Sequence, residues 1–351
     1  MVFRRSSLIA AALSLWLLPL PAAGGDYRRA SSIPIPACRH VDSLAWSGDG
    51  HLLVAAVRGA PAQPDADEPA TLRAWRDGAA RYSVRLAPGL YQAAFSPDGA
   101  LLALADRSDR QSGIVLLDPA TGAASATLDT AWPIAAFAFT PDSTRVAASP
   151  IGPQTGLWLW DVRTRRRETR PLDARLGNYQ QSLDFVPGGL LAISYADANI
   201  GFWDLRTGQL RRRVSARDGL ASDVMGGPAA GSTDGKWLAL AYTPLPPEPT
   251  FLPYNWSVRI WDLRGTAPPA TVKLPRDPDL LAFRPGAALL AVQLYGLNGS
   301  VALFDPGSGK QRQSVPWSGT LDTMAFAPDG ALALAGPAAG KSCRVEIWQD
   351  R

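Results

Sequence analysis

Residues 200–211 read IGFWDLRTGQLR: apolar residues run up to Trp203, an aspartate follows at once, and a polar turn carrying Gly208 leads into a return run from Gln209 to Val214. One such copy would be an ordinary β-hairpin. The pattern recurs, and recurrence decides the fold. Its strand-ending aromatic or leucine falls at Trp75, Leu117, Trp160, Trp203, Trp261, Phe304 and Trp348, with neighbouring copies 42, 43, 43, 58, 43 and 44 residues apart. A second signature keeps phase with the first: AWSGDG from Ala45, AFSPDG from Ala94, AFTPDS from Ala138, DFVPGG from Asp184, GSTDGK from Gly231, AFRPGA from Ala282 and AFAPDG from Ala325. Each is a short apolar strand, a turn built on Pro-Asp-Gly or a relative, and the start of another apolar strand.

Two hairpins per period make a four-stranded antiparallel sheet. Such a sheet cannot bury both faces alone, so the copies must stack, and a ring removes the exposed ends. With its Trp-Asp pairs at Trp160, Trp203 and Trp261 and its in-phase turns, the chain resembles the WD40 family of β-propellers and the broader quinoprotein-like group, over nearly everything after residue 30. Four copies depart from the literal Trp-Asp pair, the family's Gly-His pair is missing, and Asp197 matches its structural turn aspartate in one copy. The resemblance implies an all-β, seven-bladed propeller of four-stranded antiparallel blades. The motif aromatics are expected to pack between blades.

The first 24 residues combine Arg4 and Arg5, a largely apolar run from Leu8 to Leu20, and the small residues Ala22-Ala23-Gly24. That order is the order of a secretory signal, and the run is short for a membrane span. An uncleaved anchor and twin-arginine export remain open alternatives. The expectation is a signal at 1–24, one propeller domain at 25–351, and a periplasmic or secreted location. Loss of Arg4 and Arg5 takes the formal charge from +4 to about +2, too weak to imply nucleic acid.

The last copy ends just after its third strand, CRVEIWQ, and lacks a fourth. The segment SSIPIPAC, ahead of the first copy, can supply it, so the N-terminal strand is expected to close the ring. Counting by analogy with the sixth copy sets Cys343 across from about Pro36. Cys38 then lies within a residue or two, and the only two cysteines are expected to form a disulfide in an exported protein.

Catalytic chemistry finds little support. His40 and His51 are the only histidines, no metal-ligand spacing or Gly-x-Ser-x-Gly elbow occurs, and Asp98, Asp142 and Asp329 sit in turn motifs that explain them. The stretch LLDPATGAASATLDTAW resembles a quinoprotein element, read as fold kinship without a cofactor. No catalytic residue, metal or cofactor is therefore expected.

Function in such scaffolds lives on loops. Two loops are enlarged: residues 58–72, with Asp65, Asp67 and Glu68, and residues 243–256, whose five prolines would hold Phe251, Tyr254 and Trp256 in place. Blade-linking segments on the same face should add His40, Tyr91, Trp132, Tyr179 and Trp317. Aromatic rings of this kind anchor protein interfaces, unless they fold onto the rim and cap it. Arg165, Arg166 and Arg167 cluster in one copy and Arg211, Arg212 and Arg213 in the next. They protect outer strand edges or touch an anionic envelope surface. The reading is a monomeric, non-catalytic scaffold for a protein or peptide partner at the bacterial envelope. The alternative is a small-ligand, glycan-binding or hydrolytic site at the mouth of the central channel. Converging carboxylates there would favour the alternative, and a dry aromatic patch on the fifth-copy loop would favour the scaffold.

Overall fold

The computed structural model describes residues 26–59, 68–107, 113–130, 132–150, 156–171, 180–186, 188–220, 223–245, 255–294, 299–338 and 342–350. The proposed signal at 1–24 lies outside them. Among the described residues every regular element is a strand, and the strands form seven four-stranded antiparallel sheets. Blade 1 comprises His40–Trp46, Leu52–Arg58, Ala70–Arg76 and Ala79–Leu86, running outward from the axis. Blades 2 to 6 repeat that order along the chain.

Burial explains the residue pattern of each strand. The second strand of blade 1, LLVAAVR, is covered on both faces and reads as a continuous apolar run. The fourth, AARYSVRL, is exposed or half-exposed throughout and mixes Arg81, Ser83 and Arg85 with apolar residues. Seven apolar clusters fill the molecule, and each joins residues of two neighbouring blades. Seven interfaces among seven blades require a closed ring, because an open stack would have six.

Trp75, Leu117, Trp160, Trp203 and Phe304 are buried in these clusters, and Trp261 and Trp348 pack against their edges. The aspartate that follows this position in five of the seven copies has its own cause. Asp204 accepts the amides of Arg206 and Thr207, and Asp118, Asp161, Asp262 and Asp305 make the same kind of turn. The aromatic fastens blade to blade, and the carboxylate folds the hairpin. In the other hairpin, Asp98 and Asp142 each accept a Ser or Thr hydroxyl and an amide two residues on, which holds both below the usual carboxylate range.

Closure uses the start of the described chain. Tyr27–Ile35 pairs along the whole of Cys343–Asp350 and is the outer strand of blade 7. Tyr27 is buried, donates its hydroxyl to Gly330 O at 2.7 Å, and joins its backbone to the Gln313 side chain of blade 6. Cys343 faces Ile35, one residue earlier than the count predicts. The chain turns after Ile35, with Ala37 at φ 54°, and this turn carries Cys38 back to Cys343. The two cysteines are disulfide-bonded with Cα atoms 5.3 Å apart.

Candidate functional site

Innermost strands surround the channel, and five of the seven carry a β-bulge at the same place. A bulge leaves one residue unpaired and re-aims its side chain. In blades 1 and 6 that residue is Asp42 and Asp279. In blade 7 Asp322 holds the equivalent place, its amide donating to Ala335 O while Thr323 pairs with Ala335. Three blades adjacent in the ring therefore set an aspartate at one level of the channel mouth.

The carboxylates lace the blades together. Asp322 Oδ2 accepts the amide of Val41 at 2.8 Å and lies 3.6 Å from His40 Nδ1. Asp42 accepts Arg58 Nε at 2.7 Å and the amide of Tyr91, on blade 2, at 3.3 Å. Arg58 also meets Glu68 at 2.6 Å, and Glu68 meets Arg39 at 3.0 Å. Asp279 shares a hydrogen bond with the buried Gln293, whose Nε2 donates to Leu321 O in the approach to blade 7.

Burial pushes the Asp42, Asp279 and Asp322 carboxyls above the ordinary range. Arg58 opposes the shift at Asp42, and the Val41 amide and His40 oppose it at Asp322. Asp279 is open to channel water yet walled by protein, and the charges of Asp277 and Asp322 push it further up.

Below the mouth the motif alanine lines the channel. Ala45, Ala94, Ala138, Ala230, Ala282 and Ala325 hold equivalent places, each partly exposed, and blade 4 puts Asp184 there. Enclosure by the ring raises its carboxyl to about 6, against the opposing amide of Phe185.

The expected contact residues divide. His40 stands at the mouth beside Asp322, and Trp132 is exposed at 39% on the linker into blade 3. Tyr91, Trp256 and Trp317 are buried at 7%, 8% and 4%. Tyr91 donates its hydroxyl to Ala87 O, and Trp317 donates to Thr320 O beneath the Arg344 guanidinium. Trp256 packs against the inner strand of blade 5, where a Cβ on Gly227 would come 2.7 Å from its ring. These three rings cap the rim. Tyr179, Phe251 and Tyr254 lie outside the described residues. Arg167 opens the outer strand of blade 3, with Arg165 and Arg166 on the turn before it, and Arg211, Arg212 and Arg213 are on the outer strand of blade 4.

Sequence reasoning missed Asp42, Asp279 and Asp322. Each lies four residues before its motif aromatic, at Trp46, Phe283 and Phe326, and aligning the copies would have exposed them. Leu90, on the linker into blade 2 and 44% exposed, was also missed. Among the described residues no group of three His, Cys, Asp or Glu side chains is placed to hold a metal ion. The sequence matches no protein-family model and no curated protein.

Proposed function

We propose that the chain is an exported, non-catalytic binding scaffold that receives a protein or peptide at its channel-mouth face. The carrying observation is the arc of Asp279, Asp322 and Asp42 on three consecutive blades, with Asp277 and Glu68 beside it. Five carboxylates against the guanidiniums of Arg58 and Arg39 favour a basic group on the partner. Leu90 and Trp132, exposed on linkers of the same face, offer it an apolar contact. The resemblance to WD40-type interaction platforms supports this reading. The Cys38–Cys343 bridge supports an oxidising compartment such as the periplasm.

The hydrolytic alternative draws on the same carboxylates. Asp42 and Asp322 are committed to backbone amides of the next blade, which suits a rigid charged wall better than a proton-transferring pair. The test uses the mature chain and short lysine-rich peptides, with acidic peptides of equal length as control. Wild type should bind the basic peptides in a salt-sensitive way, and Asp277→Asn/Asp279→Asn should bind them at least tenfold more weakly while folding normally. Equal affinity in the variant, or no preference for basic peptides, would overturn the reading.

A further inference from the structure

The interface of blades 2 and 3 is filled by Leu116, Leu128, Phe137, Trp158 and Trp160. Its outer end stays open. There the outer strands are short, Ala124–Leu128 in blade 2 and Arg167–Arg170 in blade 3. A groove of about 580 Å³ is lined by Thr127, Asp129, Thr130, Trp160, Arg165 and Arg167.

Three groups in the lining bear on what it could bind. Arg165 and Arg167 have no carboxylate partner among the described residues, although Arg145 and Arg170 nearby both reach Glu168. Thr130 is only 6% exposed, and its Oγ1 has no hydrogen-bond partner among the described residues. Such a group costs about 1–3 kcal/mol, so its retention calls for a reason.

Both guanidiniums are also held in place. The Arg165 backbone sits at φ 59°, fixed by its amide on Asp161 O at 2.8 Å, and its Nη2 leans on Ser125 O at 3.4 Å. The Arg167 guanidinium stacks 5.0 Å above the Trp158 ring, which in turn meets Trp160 edge to face at 5.8 Å. Arginines restrained in this way lose less entropy on binding.

We propose that this groove binds a phosphate monoester carried on a polyhydroxylated body. Arg165 and Arg167 take the phosphoryl oxygens, a match that guanidinium geometry favours. The hydroxyls of Thr127 and Thr130 donate to the same group, giving Thr130 the partner it lacks. Asp129, the one carboxylate among the described lining residues, accepts from a hydroxyl of the body and disfavours a second anionic group nearby. A soluble sugar phosphate and the phosphorylated sugar of a glycolipid headgroup share this chemistry. The site is separate from the aspartate arc of the channel mouth, which lies on blades 6, 7 and 1 and carries the opposite charge.

The mature chain is titrated calorimetrically with glucose 6-phosphate and with glucose, and sedimented with vesicles carrying phosphorylated lipid A. Glucose 6-phosphate should bind and glucose should not. The surface double variant Arg165→Gln/Arg167→Gln should lose at least tenfold in affinity. Thr130→Val should melt at the same or a higher temperature yet bind at least threefold more weakly, a combination that a purely structural hydroxyl would not give. Vesicle retention that glucose 6-phosphate competes away assigns the site to a headgroup; soluble binding without retention assigns it to a free sugar phosphate. The proposal falls if glucose 6-phosphate gives no binding, if either variant binds it as wild type does, or if vesicle retention persists in the double variant.

Discussion

Cys38 and Cys343 bring their Cα atoms within 5.3 Å although 305 residues separate them in the chain. They join the two ends of the ring at the blade where the N-terminal strand is the outermost member. Cross-linking a loop of this length stabilises a fold by about 5 kcal/mol in the chain-entropy account. Cys38→Ser/Cys343→Ser should therefore unfold at markedly lower denaturant concentration, and reduction of wild type should reproduce the loss. An unchanged midpoint would show that the pairing of Tyr27–Ile35 with Cys343–Asp350 closes the ring unaided.

Asp184 makes stability depend on pH. Its carboxyl is raised to about 6 in the folded protein from 3.8. Between those values the native state binds its proton more tightly than the unfolded chain, so stability is greatest below the window and falls as pH rises through it. Asp184→Asn should raise the melting temperature at pH 7.5 and leave it unchanged near pH 3. The gain is about 1 kcal/mol, less than the full shift implies, because the carboxylate reaches channel water. Matched melting curves at both pH values would refute the assignment.

Removing Asp42 takes away one tie between blades 1 and 2. Arg58 keeps Glu68 but loses its 2.7 Å partner, and the Tyr91 amide loses its acceptor. Asp42→Ala should cost about 2–3 kcal/mol in urea unfolding. Asp42→Asn, which keeps an acceptor oxygen, should cost less. If the two variants prove equally stable, the inter-blade hydrogen bond contributes nothing.

Gly227 is required by a ring, not by a turn. A methyl there would meet the Trp256 ring at 2.7 Å and Ala241 Cβ at 3.3 Å. Gly227→Ala should destabilise by about 1–3 kcal/mol through overpacking and should alter the near-ultraviolet dichroism of the tryptophans. Wild-type stability and an unaltered spectrum would mean that Trp256 packs elsewhere.

Much of the architecture was legible because repetition reports it. A large apolar residue, tryptophan in five of seven copies, recurs in phase and has to be buried between equivalent sheets, and the aspartate that follows it in five copies has to fold a turn. The fate of the other aromatics was hidden. Trp256, Trp317 and Tyr91 look like surface anchors when placed on loops, but whether such a ring stands out or lies down depends on what is underneath it. For Trp256 the answer is a glycine on a strand about thirty residues away.

The sequence by itself determined seven four-stranded blades, the closing role of the N-terminal strand and the pairing of the two cysteines, since all three follow from period and phase along one chain. Only the tertiary structure decided that Asp322 and Asp42 join neighbouring blades through the Val41 and Tyr91 amides, and that Arg165 and Arg167 share a groove with Thr130. Those groups meet across blade boundaries, and curvature in space, not order in the chain, sets which side chains converge.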